Sequence, residues 1–283
     1  MKTVLLTCVL FFCSPLFVLG ASIIVTPEQP TQGDPVLVVI EGVDSKTVQT
    51  LTFAGKTINT FLYQSKTTAL VGIDLTQQVG AYNFVLNLKS GEKLEKTITV
   101  LARKKVVAPL GIPQKLGGNT KVAQSNLVTT LTKENAVLAK AGAALLPFWS
   151  QSFTFPLKDA TVIDAYGYSR STGSYFIAHK GTDFRAATGI PILAINMGVV
   201  RLAREFTVYG KTVAIDHGGT VLSLSMHLSK INVKVGQKVQ RGDVIGFSGD
   251  SGYALGPHLH LSIRIAGVSI DPMKFFALFE TRF

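Results

Sequence analysis

The chain has 283 residues, with 28 Lys and Arg against 17 Asp and Glu and a formal net charge of +11. It is 47% hydrophobic and only 16% charged, which excludes a disordered or collagen-like chain and allows a sizeable core. The length exceeds that of a typical single domain, so we expect two domains.

Residues 1–20 have the features of a secretory signal peptide. Lys2 is followed by a run rich in Val, Leu and Phe that extends to Leu19, and Gly, Ala and Ser follow it at positions 20–22. This order of charged, apolar and small residues predicts export and cleavage. An uncleaved segment of this length would instead be a membrane anchor. After cleavage we expect no stable membrane span, because no comparable apolar run follows.

The two cysteines, Cys8 and Cys13, both lie in this predicted signal segment. A mature chain without cysteine has neither a disulfide nor a thiolate metal site, so any metal would be bound through His, Asp or Glu. The excess of basic residues either attracts the exported protein to anionic cell-envelope polymers or only favours solubility. We expect no nucleic-acid partner, because Lys and Arg are dispersed along the chain and export removes the usual target.

Residues 21–102 contain short apolar or alternating segments separated by turn residues. This spacing predicts a small β-sandwich without any His or Cys, which we interpret as a binding or spacing module. On pattern alone it resembles the immunoglobulin-like modules of exported bacterial enzymes. The predicted strands are 23–25, 36–40, 50–53, 69–73, 82–88 and 96–101.

Residues 103–150 are predicted to connect this module to a second domain. The first part, 103–118, is basic and contains Pro and Gly, which is typical of a linker. Asn119 or Thr120 would then cap a helix that runs to about Leu145. Gly142 weakens the prediction for the last turn. We expect this helix to pack between the two domains.

Residues 151–283 return to strands and turns. In 221–228 the apolar residues Leu222, Leu224, Met226 and Leu228 alternate with a set that includes His227. In 258–265 four aliphatic residues alternate with a set that includes His258 and His260. This pattern predicts an antiparallel sheet with one packed face and a histidine-bearing cleft over its other face.

The five histidines all lie in this second half of the chain. His258 and His260 are two residues apart on one strand, which suits one zinc ligand and one neighbouring acid or base. His179 and Asp183 would be about 13 Å apart on a straight strand, so the chain must bend near Gly181 for both to reach one metal. A single histidine is more commonly structural, and we interpret His217, which precedes two glycines, as such a residue.

Residues from about 155 to 272 resemble the catalytic domain of the lysostaphin-type (LytM-like) zinc metalloendopeptidases. The order and spacing of the shared motifs agree over some 120 residues. The motifs are HKGTDF at 179–184, VAIDHG at 213–218, MHLS at 226–229, VGQKVQRGDVIG at 235–246 and GPHLH at 256–260.

This resemblance implies that His179, Asp183 and His260 bind Zn²⁺. It implies that His227 and His258 flank the metal as catalytic residues, one in acid/base catalysis and one in stabilising the oxyanion, without saying which. The family usually has Tyr before the strand-borne histidine, where this chain has Met226. By the alternation, Met226 would point to the packed face and alter packing rather than chemistry.

The implied function is that of an exported zinc-dependent endopeptidase, which hydrolyses peptide bonds in peptidoglycan stem peptides or crosslinks through a metal-activated water. Two His and one Asp leave the open fourth position of a catalytic zinc site. The loops 166–178 and 250–257 would form the cleft walls, or they are ordinary turns. The bond cut, the oligomeric state, and a periplasmic or fully secreted location stay open.

Two rival functions remain. Relatives without zinc ligands act as non-catalytic activators or scaffolds of other wall hydrolases, with the N-terminal module available for cell-wall binding. In this chain every expected ligand is present. The other rival is a self-inhibited enzyme, whose cleft is filled by the linker region 103–150 or by the N-terminal module.

Overall fold

The computed structural model describes residues 20–280. The predicted signal peptide lies outside the described residues, apart from Gly20. Within the described part the protein is mainly β, with antiparallel sheets, as the sequence predicts. Neither helix in residues 20–280 combines the length and the apolar character that crossing a membrane requires.

The N-terminal module consists of two four-stranded antiparallel sheets that enclose a common core. One has the strand order β1-β2-β6-β5 and the other β4-β3-β7-β8. All six predicted strands are present, whereas β4 and β5 are too short to show an alternation in sequence. The immunoglobulin-like character stays a prediction. The strands are β1 (Ser22–Thr26), β2 (Pro35–Glu41), β3 (Val48–Phe53), β4 (Lys56–Ile58), β5 (Phe61–Tyr63), β6 (Lys66–Gly72), β7 (Gly80–Leu88) and β8 (Lys93–Val100).

Strand β2 explains how this module attaches to the rest of the chain. Val36 and Val38 point into the core of the module, whereas Leu37 and Val39 join a second core shared with the C-terminal half. A strand buried on both faces needs an uninterrupted apolar run, which β2 has. Tyr63 stacks edge-on against Trp149 in this shared core, with ring centroids 4.7 Å apart.

The segment 103–150 contains a strand β9 (Val107–Pro109) and a helix α1 (Lys121–Ala139). Thr120 caps α1 as predicted, since its side chain accepts from the Ala123 N–H. The helix ends at Ala139 rather than near Leu145, because the following chain pairs with the C-terminal sheet, where Phe148 N–H donates to the His217 carbonyl at 2.9 Å. The prediction of the longer helix is therefore wrong.

The C-terminal half is built around one eight-stranded sheet with the order β10-β13-β21-β17-β16-β15-β19, in which β22 pairs with β21. Two three-stranded sheets, β12-β11-β9 and β14-β20-β18, flank it. The elements are β10 (Val162–Asp164), β11 (Ser169–Thr172), β12 (Tyr175–Ala178), β13 (Thr182–Arg185), β14 (Pro191–Leu193), β15 (Gly198–Phe206), β16 (Gly210–Gly218), β17 (Val221–Leu228), β18 (Lys230–Ile231), β19 (Lys238–Val239), β20 (Val244–Phe247), β21 (His258–Ile265), β22 (Val268–Ile270) and a helix α2 (Pro272–Glu280).

Helix α1 packs on this sheet and not between the two halves, so that prediction is also wrong. Leu138 is completely buried against Leu222 and Leu224 of β17, in a cluster drawn from α1, its following segment and the C-terminal sheet. The opposite face of the sheet packs on α2 and the core shared with the N-terminal module. The central strands are therefore covered on both faces.

His217 has the structural environment that its position before two glycines suggests. Its Nδ1 lies 2.9 Å from the Met197 carbonyl oxygen and its Nε2 lies 2.8 Å from the Ser223 hydroxyl. The neutral ring satisfies both contacts, because Nδ1–H donates to the carbonyl and Nε2 accepts from the hydroxyl. Burial lowers the pKa of His217 to about 4.

This buried ring makes the folded state sensitive to acid. Unfolded His217 binds a proton near pH 6.5, which the folded ring accepts only at about pH 4. We expect the contribution of neutral His217 to the free energy of unfolding to be complete above pH 6.5 and to be lost as the pH falls to about 4. This loss lowers the free energy of unfolding by ~3 kcal/mol. Urea denaturation at pH 7 and 4.5 measures how steeply the free energy of unfolding changes with pH. His217→Gln should be less stable at pH 7 with a shallower slope, and equal slopes would contradict the assignment.

Candidate metal centre

Three side chains converge in the cleft of the C-terminal half. His179 Nε2 lies 3.1 Å from Asp183 Oδ1 and 3.1 Å from His260 Nδ1, and these last two atoms are 2.8 Å apart. Strand pairing contributes directly, because Asp183 on β13 lies opposite His260 on β21. The structure therefore brings together the three residues that the family resemblance implies as ligands.

The bend predicted near Gly181 is present. His179 and Asp183 meet although four positions separate them, so the chain does not run straight between them. A Cβ atom at position 181 would collide with the His260 ring and with the Leu261 carbonyl oxygen. Glycine is therefore required by the close approach of β21, in addition to the freedom that it gives the turn.

The donor set fits a divalent cation. His179 Nδ1 lies 2.9 Å from the Ala165 carbonyl oxygen, which only accepts, so the neutral ring carries its proton there and turns a lone pair at Nε2 to the centre. Burial would raise the pKa of Asp183, but the two histidine partners outweigh it and lower that pKa below its usual range. An imidazole lone pair and an ionised carboxylate oxygen 3.1 Å apart need a positive charge between them.

The chemistry of these donors also favours a particular metal. Two imidazole nitrogens and one carboxylate oxygen are ligands typical of Zn²⁺, and three protein ligands leave one tetrahedral position open. The carbonyl of Ala165 orients the His179 ring from outside, as metal-binding histidines commonly require. The residues present therefore fit a catalytic type of zinc site.

His227 and His258 lie beside this centre, with ring centroids 4.9 Å apart. His227 Nδ1 donates to the Ser251 carbonyl at 2.9 Å, and His258 Nδ1 donates to the Gly256 carbonyl at 2.8 Å. With Nδ1 donating, the second nitrogen of each ring, Nε2, faces the cleft, and His258 Nε2 lies 3.9 Å from Asp183 Oδ2. Burial, with His260 and His258 nearby, lowers the pKa of His227 to about 3.

His227 reaches the cleft by a route that simple alternation does not describe. Leu228 of β17 pairs with Lys211 of β16, whereas Ser225 pairs with Val213, so β17 has one extra residue between these pairs. His227 itself has a φ of 61°, in the left-handed region. This β-bulge turns the imidazole into the cleft, which is a known use of bulges near functional sites.

The predicted faces of β17 are therefore wrong. Met226 lies directly opposite His260 in the strand pairing, so these two side chains share a face. The aliphatic stripe of β17 lies on the histidine face because α1 covers it there. Met226 also lines the cleft, so the replacement of the family's usual Tyr changes the cleft itself and not only the packing behind it.

The cleft has a volume of about 800 Å³. Residues from both predicted wall loops line it, among them Arg170 and Tyr253. Two further walls are linker residues such as Leu110 and the α1 residues Leu127 and Leu131, which lie in the region 103–150 that the self-inhibited alternative places in the cleft. The apolar stripe of α1 is imperfect in sequence, and nothing in that pattern indicated which surface it covers.

The family follows from a comparison of the sequence. Residues 177–272 match the family model described as Peptidase family M23. This part of the chain is an M23-like peptidase domain by that match. The M23 domain contains both motifs that supply the metal-binding candidates, and the resemblance to lysostaphin-type enzymes is thereby confirmed.

Curated relatives share this domain. Over 96 residues the chain is 45% identical to peptidoglycan DD-endopeptidase ShyA of Vibrio cholerae, a match that covers 34% of this chain and 22% of ShyA. It is 39% identical over 96 residues to DD-carboxypeptidase/endopeptidase Mpg of Neisseria meningitidis, again 34% of this chain and 22% of the relative. The chain thus spans about a fifth of the length of these relatives.

A solved structure extends the likeness beyond the M23 domain. A Pseudomonas aeruginosa chain described as a candidate M23 peptidase superimposes with a TM-score of 0.64 at 27% sequence identity. The match covers 89% of this chain and 96% of that chain. The fold of most of this chain is therefore similar to that of the Pseudomonas aeruginosa protein.

Proposed function

We propose that this protein is an exported, zinc-dependent endopeptidase that hydrolyses peptide bonds in peptidoglycan stem peptides or crosslinks. The observation that carries the proposal is the convergence of His179, Asp183 and His260 within the M23 domain. The names of two relatives, a peptidoglycan DD-endopeptidase and a DD-carboxypeptidase/endopeptidase, support the substrate class.

In this proposal His179 Nε2, Asp183 Oδ1 and His260 Nδ1 hold the zinc ion. When bound, Zn²⁺ supplies Lewis-acid activation of a water and of the scissile carbonyl. The candidate ligands are preorganised, because the Ala165 carbonyl orients the His179 ring and the two histidines keep the Asp183 carboxyl ionised. Only small rearrangements would then be needed for metal binding.

His227 and His258 are the proposed catalytic residues. Each ring is fixed through Nδ1–H to a backbone carbonyl, which directs the lone pair of Nε2 to the substrate side. Such a ring accepts a proton from water and passes it to the leaving amine, or, once protonated, donates to the developing oxyanion. Both rings have the same proton arrangement, so the proposal assigns them jointly to these two roles.

A location in the cell envelope accompanies this function. The wall-hydrolase names of the relatives and the net charge of +11 both favour an exported protein drawn to an anionic polymer. The N-terminal module would then serve in binding or spacing. A non-catalytic activator or scaffold is the weaker alternative, because the complete ligand set would have no use in it.

Digestion of purified peptidoglycan tests the proposal. The full mature chain, residues 21–283, would be incubated with and without a zinc chelator, and released fragments identified by mass spectrometry. We expect new peptide termini that appear only with zinc, and their masses name the bond. Absence of any release from zinc-loaded protein, also after α1 is loosened by Glu134→Gln, would favour the activator or scaffold function instead.

We further propose that α1 restricts access to the cleft, as in a self-inhibited enzyme. Leu127 and Leu131 of α1 line the same cavity as the candidate metal ligands. The linker is held there too, since β9 pairs with β11 and Lys115 Nζ donates to the Asp250 carbonyl at 2.9 Å. An extended polymer substrate would have to enter past these segments.

Glu134 fastens α1 to the M23 domain and so provides a test of restricted access. Its buried carboxylate accepts from the backbone N–H groups of Thr207, Val208 and Tyr209. Glu134→Gln removes the charge and places a side-chain N–H group beside the backbone N–H groups, where an acceptor is needed. The attachment of α1 should be weakened by roughly 1–3 kcal/mol. We expect faster hydrogen exchange of α1 amides together with a higher rate of peptidoglycan hydrolysis.

The exposed Glu92, in a turn of the N-terminal module, supplies a matched control in Glu92→Gln, which should change neither quantity. Faster exchange of α1 with an unchanged or lower hydrolysis rate would show that α1 does not limit access. Unchanged exchange would show that Glu134 does not hold the helix.

A further inference from the structure

Arg264 lies at one end of the cleft that contains the candidate metal ligands. His258, His260, Ser262 and Arg264 alternate along β21 and therefore share one face, and all four line the cavity. By the rise of a β-strand, the Cα atom of Arg264 is about 13 Å from that of His260. The guanidinium is thus within reach of a substrate that extends along β21 from the metal centre.

This arginine lacks the partner that comparable arginines have. Its Nε atom is buried without a hydrogen-bond partner, and no ion pair of Arg264 occurs within residues 20–280. Three other arginines in or beside the M23 domain each pair with an aspartate: Arg103 with Asp34 and Asp271, Arg170 with Asp164, and Arg201 with Asp216.

The surroundings of Arg264 do not compensate for its charge. Burial lowers the pKa of Arg264, and the nearby Tyr209 hydroxyl opposes this effect. That hydroxyl already donates a hydrogen bond to Asn135 Oδ1 at 2.9 Å. Glu134 on the adjacent helix is already engaged by three backbone N–H groups. Arg264 is partly buried, and a guanidinium in a cleft whose Nε has no partner among the described residues is placed to bind an anionic ligand.

We propose that Arg264 binds a carboxylate of the peptide substrate and thereby makes the enzyme selective for acidic peptides. This inference rests on the proposed endopeptidase function. Guanidinium and carboxylate form paired hydrogen bonds, which fix orientation as well as charge. An extended peptide advances about 3.3 Å per residue, so the bound carboxylate belongs to a residue about four positions from the scissile bond.

Binding of two synthetic peptides to the metal-free protein tests the proposal without relying on catalysis. One is a stem-type pentapeptide with free carboxylates, and the other is the same peptide with every carboxylate converted to an amide. Isothermal titration should show that the wild-type protein binds the acid at least ~10-fold more tightly. Arg264→Gln should lose this preference, and Arg264→Lys should keep part of it.

Arg241→Gln is the matched control, because Arg241 is exposed and contacts only the Ser152 carbonyl among the described residues. With zinc restored, Arg264→Gln should raise KM for the acidic peptide about 10-fold and leave kcat nearly unchanged. A fall in kcat at constant KM would contradict the proposal.

The comparison of the acid and the amide peptide uses the wild-type protein alone. It therefore decides the question even if the Arg264→Gln protein folds poorly. Equal affinity for the two peptides would overturn the role of Arg264, while zinc-dependent hydrolysis of peptidoglycan would still support the endopeptidase. Binding of neither peptide, together with no hydrolysis, would overturn both.

Discussion

Replacing Asp183 with asparagine is expected to lower zinc affinity by more than ~100-fold and to abolish peptidoglycan hydrolysis. The carboxylate oxygen lies 3.1 Å from the His179 nitrogen and 2.8 Å from the His260 nitrogen, so it contacts both histidines of the triad. An amide brings no charge to the site. Losses of 10–100-fold are usual when even the outer partners of ligands are changed, and a direct ligand should cost more.

Metal content after dialysis, measured by elemental analysis, and release of peptidoglycan fragments test this expectation together. Asp159→Asn is the matched control, because Asp159 is exposed in the same half of the chain and accepts only from Thr161 among the described residues. The control should retain both metal and activity. An Asp183→Asn protein that holds zinc as tightly as the wild type would remove Asp183 from the ligand set.

His258→Gln and His227→Gln are each expected to reduce kcat by ~10²- to 10⁴-fold while the zinc content stays unchanged. Both rings present Nε2 to the cleft, yet neither belongs to the cluster of three converging ligand atoms. Glutamine preserves hydrogen bonding but cannot take up and return a proton. Turnover of a defined peptide and metal content should be measured on the same preparations.

His217→Gln separates catalysis from stability in this experiment. His217 is fully buried and contacts Met197 and Ser223, so its replacement should lower stability without a matching loss of kcat. If His258→Gln or His227→Gln lost its zinc, that residue would be a ligand rather than a catalytic group. Turnover equal to the wild type would exclude it from the mechanism.

The convergence of the candidate ligands could be predicted because short local motifs contain them. His179 and Asp183 lie on one short bend, and His258 and His260 lie on one strand, so each motif places its own side chains. Strand alternation also explains β21, where Leu259, Leu261 and Ile263 are all completely buried. These features depend on the two-residue period of a strand and on Gly181, and both are visible in the sequence alone.

The route by which His227 enters the cleft could not be predicted in the same way. An alternating pattern does not reveal an extra residue in a strand pair, and the left-handed φ of His227 violates the preference of non-glycine residues. The alternating pattern therefore predicted correctly that His227 lies in the cleft, but it placed Met226 on the wrong face of the sheet. The bulge arises from pairing between β16 and β17, which is a long-range property.

The surface on which α1 docks could not be predicted for a related reason, although the self-inhibited alternative already placed the region 103–150 in the cleft. Helix α1 could be recognised from its Thr120 cap, but its docking depends on Glu134, whose carboxylate meets backbone N–H groups of a distant turn. A glutamate in a helix is normally solvent-exposed, so nothing in the sequence distinguished this one. Tertiary contacts also ended α1 at Ala139, where the chain leaves to pair with the sheet.

A crystal structure of the zinc-loaded mature protein, with anomalous scattering to locate the metal, would show directly whether His179, Asp183 and His260 hold zinc. We expect one zinc ion per chain, bound at about 2.0–2.2 Å by His179 Nε2, Asp183 and His260 Nδ1, with a fourth position open to the cleft. Zinc held elsewhere, or closed off at this site by a fourth protein ligand, would contradict the assignment of a catalytic metal centre.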